Sequence, residues 1–291
     1  MSERTSGDIE NFDKSWRTRK EALYNHWTAG RPNNQIQLAF RSHWEVFREL
    51  IGPLASAKGK VLEVGCGRGS LSSYFAQDGW DCTLLDYSPA VLETAKAVFS
   101  RNGHNAEYVP GDANALPFPD GSFDVTCSIG LLEHFENVGR VMEEQARVLK
   151  PGGWFLGYVV PERPDNVQRY FNWVNRILKF FASFGGADKK STAAKPDIYR
   201  SDFQSSHYVA ALNNVQFKNL TVFGMYPMPM ISHSPQFPFS LLPKPLELVL
   251  TRTFEFALAV RQKLLGRHGW ICDEKNGQAF LIAFQKGGDN E

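Results

Sequence analysis

The sequence has few cysteines and no long apolar run. Its four cysteines, Cys66, Cys82, Cys127 and Cys272, lie far apart, without the paired spacing of a zinc site or a redox dithiol. We therefore expect reduced cysteines in the protein core. No stretch approaches the roughly 18 uncharged apolar residues that a membrane span requires, so no transmembrane helix is predicted.

The chain also lacks an excess of charge of either sign. Lys and Arg together number 32, and Asp and Glu number 31. Such a balance creates no overall field that would draw the protein to nucleic acid or to an acidic membrane. We expect no nucleic-acid partner and at most peripheral membrane contact. The polar first 20 residues contain no secretory signal, which leads us to expect a cytoplasmic location. The histidines lack metal-ligand spacing, so no metal is predicted.

Short apolar runs alternate with segments of helical period between residues 60 and 160. This alternation is typical of βαβ units and a parallel sheet. The predicted strands are Val61–Val64, Cys82–Asp86, Glu107–Val109, Phe123–Ser128 and Trp154–Val160, with two later ones at Gln216–Met225 and Gln278–Gln285. The helices between the first five are predicted near Ser70–Gln77, Pro89–Phe99 and Asn137–Leu149.

Segments outside this core are rich in aromatic residues and form a predicted lid. Residues 1–55 are interpreted as an N-terminal helical lid, with helices near Ile9–Thr28 and Gln35–Ile51, and residues 56–160 as the core. Residues 161–207 are a lid insertion, and residues 208–291 carry the last two strands with a helical insertion at about 226–269. We expect the lid over the carboxyl ends of the strands, where open α/β sheets bind ligands.

A glycine-rich turn follows the first strand in the segment Val61-Leu62-Glu63-Val64-Gly65-Cys66-Gly67-Arg68-Gly69. Glycines let a ligand approach the backbone closely. A dinucleotide fingerprint would place its third glycine at position 70, where this chain has Ser70. A nicotinamide oxidoreductase is therefore a poorer interpretation. We expect a solvated surface role for Arg68.

The spacing Glu63-x-Gly65-x-Gly67-x-Gly69 resembles the first motif of class I S-adenosylmethionine methyltransferases. Later segments resemble a subgroup that includes quinone, sterol and natural-product methyltransferases. These segments are Leu116-Pro117-Phe118-Pro119-Asp120-Gly121-Ser122-Phe123-Asp124, Leu132-Glu133-His134-Phe135 and Leu149-Lys150-Pro151-Gly152-Gly153. The resemblance covers about residues 59–160. It implies a Rossmann-like α/β fold: a seven-stranded mixed sheet with helices on both faces and an antiparallel last strand.

The resemblance also implies a binding site for S-adenosyl-L-methionine. Gly65 and Gly67 would let the cofactor approach the backbone, and Glu63 stands where an acid could receive its ammonium group. Asp86 would hold the ribose hydroxyls, with Tyr87 against the adenine. Asp112 and Ala113 would contact the adenine edge, and Ser128 and Ile129 would line its other side and the methionine tail.

His134 is the candidate catalytic residue, with three roles open to it. It could be a general base, a residue that closes the methionine end of the pocket, or a satisfied histidine at a helix start. In-line methyl transfer mainly requires alignment of the acceptor, the methyl group and the sulfur. A base is needed only when the acceptor holds its proton.

The apolar lid predicts a small hydrophobic or aromatic acceptor. The lid residues that carry this prediction are Trp16, Tyr24, Trp27, Tyr170, Phe171, Trp173, Phe180, Phe181, Tyr199, Tyr208, Met225, Tyr226, Met228 and Met230. One alternative is a lipid-like or quinone acceptor at a membrane surface, with Val174–Phe184 and Pro245–Leu265 lying on the lipid. Another is a non-catalytic subunit that binds the cofactor and regulates a partner. The oligomeric state is left open.

Overall fold

The computed structural model describes residues 26–163, 165–184, 199–231 and 242–288. Most of the helix predicted near Ile9–Thr28, including Trp16 and Tyr24, lies outside the described residues. Its last three residues are described and are not helical.

Eight strands in the described residues form one sheet in the order β3-β2-β1-β4-β5-β8-β6-β7. Their bounds are Lys60–Val64 for β1, Asp81–Asp86 for β2, Glu107–Pro110 for β3, Phe123–Ile129 for β4, Leu149–Val159 for β5, Phe217–Met225 for β6, Ile271–Cys272 for β7 and Ala279–Lys286 for β8. The first five strands pair in parallel. β8 runs antiparallel to both β5 and β6, which confirms the predicted mixed sheet with an antiparallel last strand.

The predicted number of seven strands is wrong. The additional strand, β7, has only two residues and pairs with Gly224 and Met225 at the end of β6. Two residues cannot display an alternating pattern, so this strand leaves no signal in the sequence. It extends the edge of the sheet beyond β6.

Eight α-helices are described. Their bounds are Gln35–Ile51 for α1, Pro53–Ala57 for α2, Ser72–Gln77 for α3, Pro89–Arg101 for α4, Gly139–Arg147 for α5, Asn172–Phe184 for α6, Ser205–Ala210 for α7 and Lys244–Leu265 for α8. Ser88 caps α4 by accepting from the Val91 N–H, with Pro89 in the first turn. The predicted start at Pro89 is confirmed, and these contacts explain it, since serine caps free N–H groups and proline fits the first turn.

Helices cover both faces of the sheet, as predicted. On one face, α1, α3 and α4 contribute Phe47, Phe75 and Phe99 to the core. On the other face, α5 and α7 contribute Val141 and Tyr208. The four cysteines are buried and unpaired, which confirms that they are reduced core residues. None of the described helices has the length and apolar content to cross a bilayer.

The residues assigned to the lid divide between the core and the surface. Tyr208 and Met225 are fully buried in the cores of the two faces. By contrast, the side chains of Tyr170, Trp173 and Phe180 are exposed. The part of residues 1–55 that forms α1 packs along one face of the sheet, so this helix contributes to the core.

Candidate cofactor and catalytic site

The glycine-rich turn connects β1 to α3 through left-handed backbone. Gly65, Gly67 and Gly69 have φ angles of 66°, 53° and 64°, which L-residues with a side chain rarely adopt. A Cβ at Gly65 would lie 2.6 Å from Leu131 Cδ1, and one at Gly69 would lie 2.5 Å from both Leu84 Cδ2 and Phe99 Cε2. The sequence therefore needs glycine here for conformation and for space.

Glu63 is buried beneath this turn. Its Oε2 accepts hydrogen bonds from the Ser72 N–H at 3.0 Å and from the Ser72 hydroxyl. Burial raises the pKa of Glu63 to about 7, against the lowering effect of the two bonds from Ser72. Glu63 thus ties β1 to the start of α3. Its contact with a ligand ammonium group stays a prediction, and the bonds to Ser72 support a structural role.

Asp86 ends β2, the strand next to β1, and its carboxylate reaches the glycine-rich turn. Oδ2 accepts from the Gly67 N–H at 3.3 Å, and Oδ1 accepts from the Ser88 N–H at 3.0 Å. Parallel strands end at the same edge of a sheet, so the carboxylate lies where the resemblance implies the ribose hydroxyls. The ribose contact itself stays a prediction.

The residues predicted to contact adenine differ in their exposure. The Tyr87 side chain is 51% exposed, so its ring is accessible to a ligand. Asp112 accepts from both the backbone N–H and the side-chain amide of Asn114, which is an Asx turn. Ala113 is buried in the core of the second face. The Gly111 N–H donates to the Asp86 carbonyl oxygen at 3.1 Å, and this bond holds the ends of β2 and β3 together.

The fourth strand ends beside the glycine-rich turn. Ser128 is fully buried, and its hydroxyl has no hydrogen-bond partner. Ile129 follows it and packs against the core of the first face. Leu131 is the residue whose side chain fills the space above Gly65. Ser128 and Ile129 therefore end the strand next to β1, and their contact with a ligand stays a prediction.

His134 lies in a short 3₁₀ turn, Leu132–His134, after β4. The ring Nδ1 lies 2.6 Å from the Tyr199 carbonyl oxygen. Because a carbonyl only accepts, Nδ1 carries a proton and Nε2 is the acceptor atom of the neutral ring. This bond joins the 3₁₀ turn to the segment that precedes α7.

Glu133 stands in the same turn and was not predicted as a site residue. Its side chain is 0% exposed, and neither carboxylate oxygen has a hydrogen-bond partner. Burial raises its pKa to about 7, which the Arg200 charge and nearby backbone N–H groups oppose. The available signal in the sequence was an acidic residue between Leu132 and the aromatic ring of His134. Charged residues are rarely fully buried without a partner, so a buried acid in such a segment indicates a special role.

The expected surface role of Arg68 is wrong, because its side chain is buried. The Ser70 hydroxyl lies 3.0 Å from Nδ1 of His26, a buried residue that precedes α1. Burial and the Arg68 charge lower the pKa of His26 to about 3. The segment before α1 thus packs on the glycine-rich turn, a tertiary contact that no local pattern reveals.

Two further observations concern a cavity away from the site and the possibility of a metal site. A cavity of about 480 Å³ is lined by Lys60, Asp81 and Glu107. These residues begin β1, β2 and β3, so the cavity lies at the opposite edge of the sheet from the predicted cofactor residues. No group of three or more His, Cys, Asp or Glu residues in the described ranges is arranged to hold a metal ion.

The parallel strands and the glycine-rich turn define an α/β class that binds ligands at the carboxyl ends of its strands. Residues 62–157 match the family model described as a methyltransferase domain. A fatty-acid O-methyltransferase of Mycolicibacterium smegmatis is 41% identical over 106 residues, 35% of this chain and 38% of that protein. A demethylmenaquinone methyltransferase of Chlorobaculum tepidum is 28% identical over 205 residues, 66% of this chain and 81% of that protein.

A Thermotoga maritima structure, described as an S-adenosylmethionine-dependent methyltransferase and possible histamine N-methyltransferase, shares the fold. It has a TM-score of 0.53 at 14% identity, over 95% of this chain and 98% of that chain. The chain spans about half or less of the length of the first curated relatives that it matches. Residues 62–157 thus carry a methyltransferase domain, and the solved structures that share the fold include an S-adenosylmethionine-dependent methyltransferase.

Proposed function

We propose that the protein transfers a methyl group from S-adenosyl-L-methionine to a small hydrophobic or aromatic acceptor. The observation that carries the proposal is the Asp86 carboxylate, which is buried at the end of β2 and hydrogen-bonded to the Gly67 N–H. This arrangement supports the proposal, because the carboxylate is able to accept hydrogen bonds from nucleoside hydroxyls beside backbone that a ligand can approach.

The residues present fit this cofactor. The exposed Tyr87 ring follows Asp86 and is available to an adenine. The Ser128 hydroxyl is buried without a partner at the end of β4, as expected of a polar group that meets a ligand. When bound, S-adenosylmethionine supplies a methyl group on a sulfonium, and the thioether that leaves is neutral.

The protein's own residues would bind and orient the cofactor and the acceptor, and would exclude water from the site. Gly65 and Gly67 would hold the cofactor through the backbone, and Asp86 would orient its ribose. Residues 199–201 would close the site, since they hydrogen-bond to the turn that carries Glu133 and His134. Proximity in such a pocket contributes several kcal/mol to a two-reactant step. His134 and its neighbour Glu133 are the candidates for the group that removes the acceptor proton.

Binding and transfer can be tested separately. Calorimetry should detect binding of S-adenosylhomocysteine and not of NADH. Transfer of labelled methyl from S-adenosylmethionine is then measured with a long-chain fatty acid, a naphthoquinol and a simple phenol. The first two follow the names of the relatives of this chain. Tight binding of NADH alone would overturn the proposal, and cofactor binding without any methyl transfer would favour the regulatory-subunit alternative.

A lipid-like acceptor at a membrane surface is the second candidate, because two helices expose apolar side chains. On α8, Phe256 and Leu264 are 71% and 78% exposed, and on α6, Trp173 and Phe180 are both 60% exposed. An amphipathic helix can lie in the interface with its apolar face in the lipid. Co-sedimentation with vesicles of mixed anionic and neutral phospholipid should fall on Phe256→Ser if this holds. Equal sedimentation of the variant would contradict it.

A further inference from the structure

Glu133 combines complete burial with a carboxylate that makes no hydrogen bond of normal geometry, and only the Arg200 charge and the backbone N–H groups of Glu133 and Val160 favour its ionised form. Its side chain is 0% exposed, and neither Oε1 nor Oε2 makes a hydrogen bond. An isolated carboxylate is costly to bury, and buried polar groups in proteins are normally hydrogen-bonded. A bound ligand that supplies a hydrogen-bond partner would explain why this carboxylate is buried.

The position of Glu133 connects it to the predicted cofactor residues. A Cβ built on Gly130 would lie 3.5 Å from Glu133 Oε1, so the carboxyl lies against the residue that follows Ile129. The next residue, Leu131, covers Gly65. The carboxyl group is therefore close to the carboxyl end of β4 and to the glycine-rich turn.

The turn that holds Glu133 is fixed from the other side by residues 199–201. The Ser201 N–H donates to the Glu133 carbonyl oxygen at 2.8 Å, and His134 Nδ1 donates to the Tyr199 carbonyl oxygen. The His134 ring is only half-buried. These two hydrogen bonds restrain the backbone of Glu133 and the ring of His134. No hydrogen bond of normal geometry restrains the Glu133 carboxyl group.

We propose that Glu133 is a catalytic residue that takes the proton from the O–H or N–H group of the acceptor, and that His134 is a positioning residue. This inference rests on the proposed function. In this step the acceptor atom forms a bond to the methyl carbon as the carbon–sulfur bond breaks. The electron pair of that bond stays on sulfur, and the acceptor proton goes to the Glu133 carboxylate.

The charged and titratable groups around Glu133 agree with this role. The Glu133 charge raises the pKa of Tyr158 on β5 and of Tyr208 on α7, and the Arg200 charge lowers the pKa of Glu133. Burial brings the pKa of Glu133 to about 7, and a base is most effective when its pKa lies near the working pH. The rate should therefore rise as the pH passes upward through about 7.

The test compares Glu133→Gln with His134→Gln and with Glu93→Gln, an exposed carboxyl on α4. With the phenol or the naphthoquinol as acceptor, Glu133→Gln should lower the rate about 10²–10⁴-fold and abolish the pH dependence near 7. Binding of S-adenosylhomocysteine should remain within twofold. His134→Gln should retain the pH dependence, and Glu93→Gln should behave as wild type. The fatty acid is already deprotonated at pH 7, so its methylation should depend little on Glu133.

A second readout does not depend on activity. In protein labelled with ¹³C at the glutamate carboxyl, two buried carboxyls should titrate near pH 7, because burial raises the pKa of Glu63 as well. Glu133→Gln should remove one of these signals. Should this variant fail to fold, Glu133→Asp keeps the carboxyl and should lower the rate while retaining the pH dependence.

Three outcomes would overturn the inference while the proposed function stands. They are a Glu133→Gln variant with the wild-type rate and pH profile, loss of the pH dependence in His134→Gln, and a loss of S-adenosylhomocysteine affinity that matches the loss of rate. The last would make Glu133 a partner of the cofactor. Failure of the wild-type protein to bind S-adenosylhomocysteine would instead remove the proposed function.

Discussion

At the scale of single residues, the carboxyl groups near the glycine-rich turn differ by what donates to them. Glu63 receives two hydrogen bonds from Ser72, Asp86 receives backbone N–H groups on both oxygens, and Glu133 receives no hydrogen bond of normal geometry. Bonds to the charged form favour ionisation, whereas burial opposes it. These differences agree with the three roles proposed for the acids: structural support for Glu63, ligand binding for Asp86 and proton transfer for Glu133.

Asp86→Asn should weaken binding of S-adenosylhomocysteine. An amide can accept through only one of its two groups, and a hydrogen bond to a charged partner contributes about 1–3 kcal/mol. Calorimetry measures the change. Asp81→Asn is the matched control, since Asp81 is exposed at the opposite end of the same strand. Equal affinities for all three proteins would remove Asp86 from the ribose site.

At the scale of elements, the turn between β1 and α3 depends on neighbours that come from other parts of the chain. Leu84 on β2 and Phe99 on α4 occupy the space beside Gly69, and Leu131 occupies the space beside Gly65. The turn is thus enclosed on its protein side. Asp86 and Tyr87 lie on the other side of the turn, at the carboxyl end of β2.

Gly69→Ala should lower the free energy of unfolding more than Gly103→Ala. Both glycines have left-handed φ angles, 64° and 73°, so both variants carry the same backbone cost of about 1–2 kcal/mol. Only at Gly69 would the new Cβ meet other atoms, whereas nothing lies within 4 Å at Gly103. Overpacking adds about 1–3 kcal/mol. Urea denaturation measures both changes, and equal losses would show that the turn relaxes freely.

At the scale of the whole molecule, buried titratable groups act on stability in opposite directions. Burial lowers the pKa of His43 from 6.5 to about 3. Between these pH values the imidazole is protonated in the unfolded chain and neutral in the folded protein, so the free energy of unfolding falls as the pH drops below 6.5. His26 acts in the same way. Glu63 and Glu133 have raised pKa values and act oppositely between about pH 4.5 and 7.

His43→Gln should isolate one of these contributions. The stability difference between wild type and variant should shrink by up to about 1.4 kcal/mol per pH unit as the pH falls below 6.5. Urea denaturation at pH 7.0, 6.0 and 5.0 measures it. Trp270→Phe is the control, because it removes the Trp270 Nε1–H bond to His43 Nδ1 and keeps the imidazole. Its stability difference should depend little on pH. A constant difference for His43→Gln would mean that the ring titrates alike in both states.

Periodicity predicted most of the sheet because each of the main strands buries an apolar run. The bounds of α1 were predicted to the residue, and those of β1 and β2 to within one residue. β5 begins at Leu149, earlier than the predicted Trp154, and so includes the Lys150-Pro151-Gly152-Gly153 segment. The two-residue β7 could not be predicted, because it exists only by pairing with β6.

By itself, the sequence determined the fold class, the position of the glycine-rich turn and the acids that follow the strands. These are local properties, set by apolar spacing and by the need for glycine where φ is positive. Tertiary structure alone decided which acid is hydrogen-bonded and which is not. Ser72 partners Glu63, backbone N–H groups orient Asp86, and Glu133 is buried by β5, α7 and residues 199–201. Burial and partners arise from segments far apart in the chain, and for this reason Glu133 emerged as a candidate base only from the folded protein.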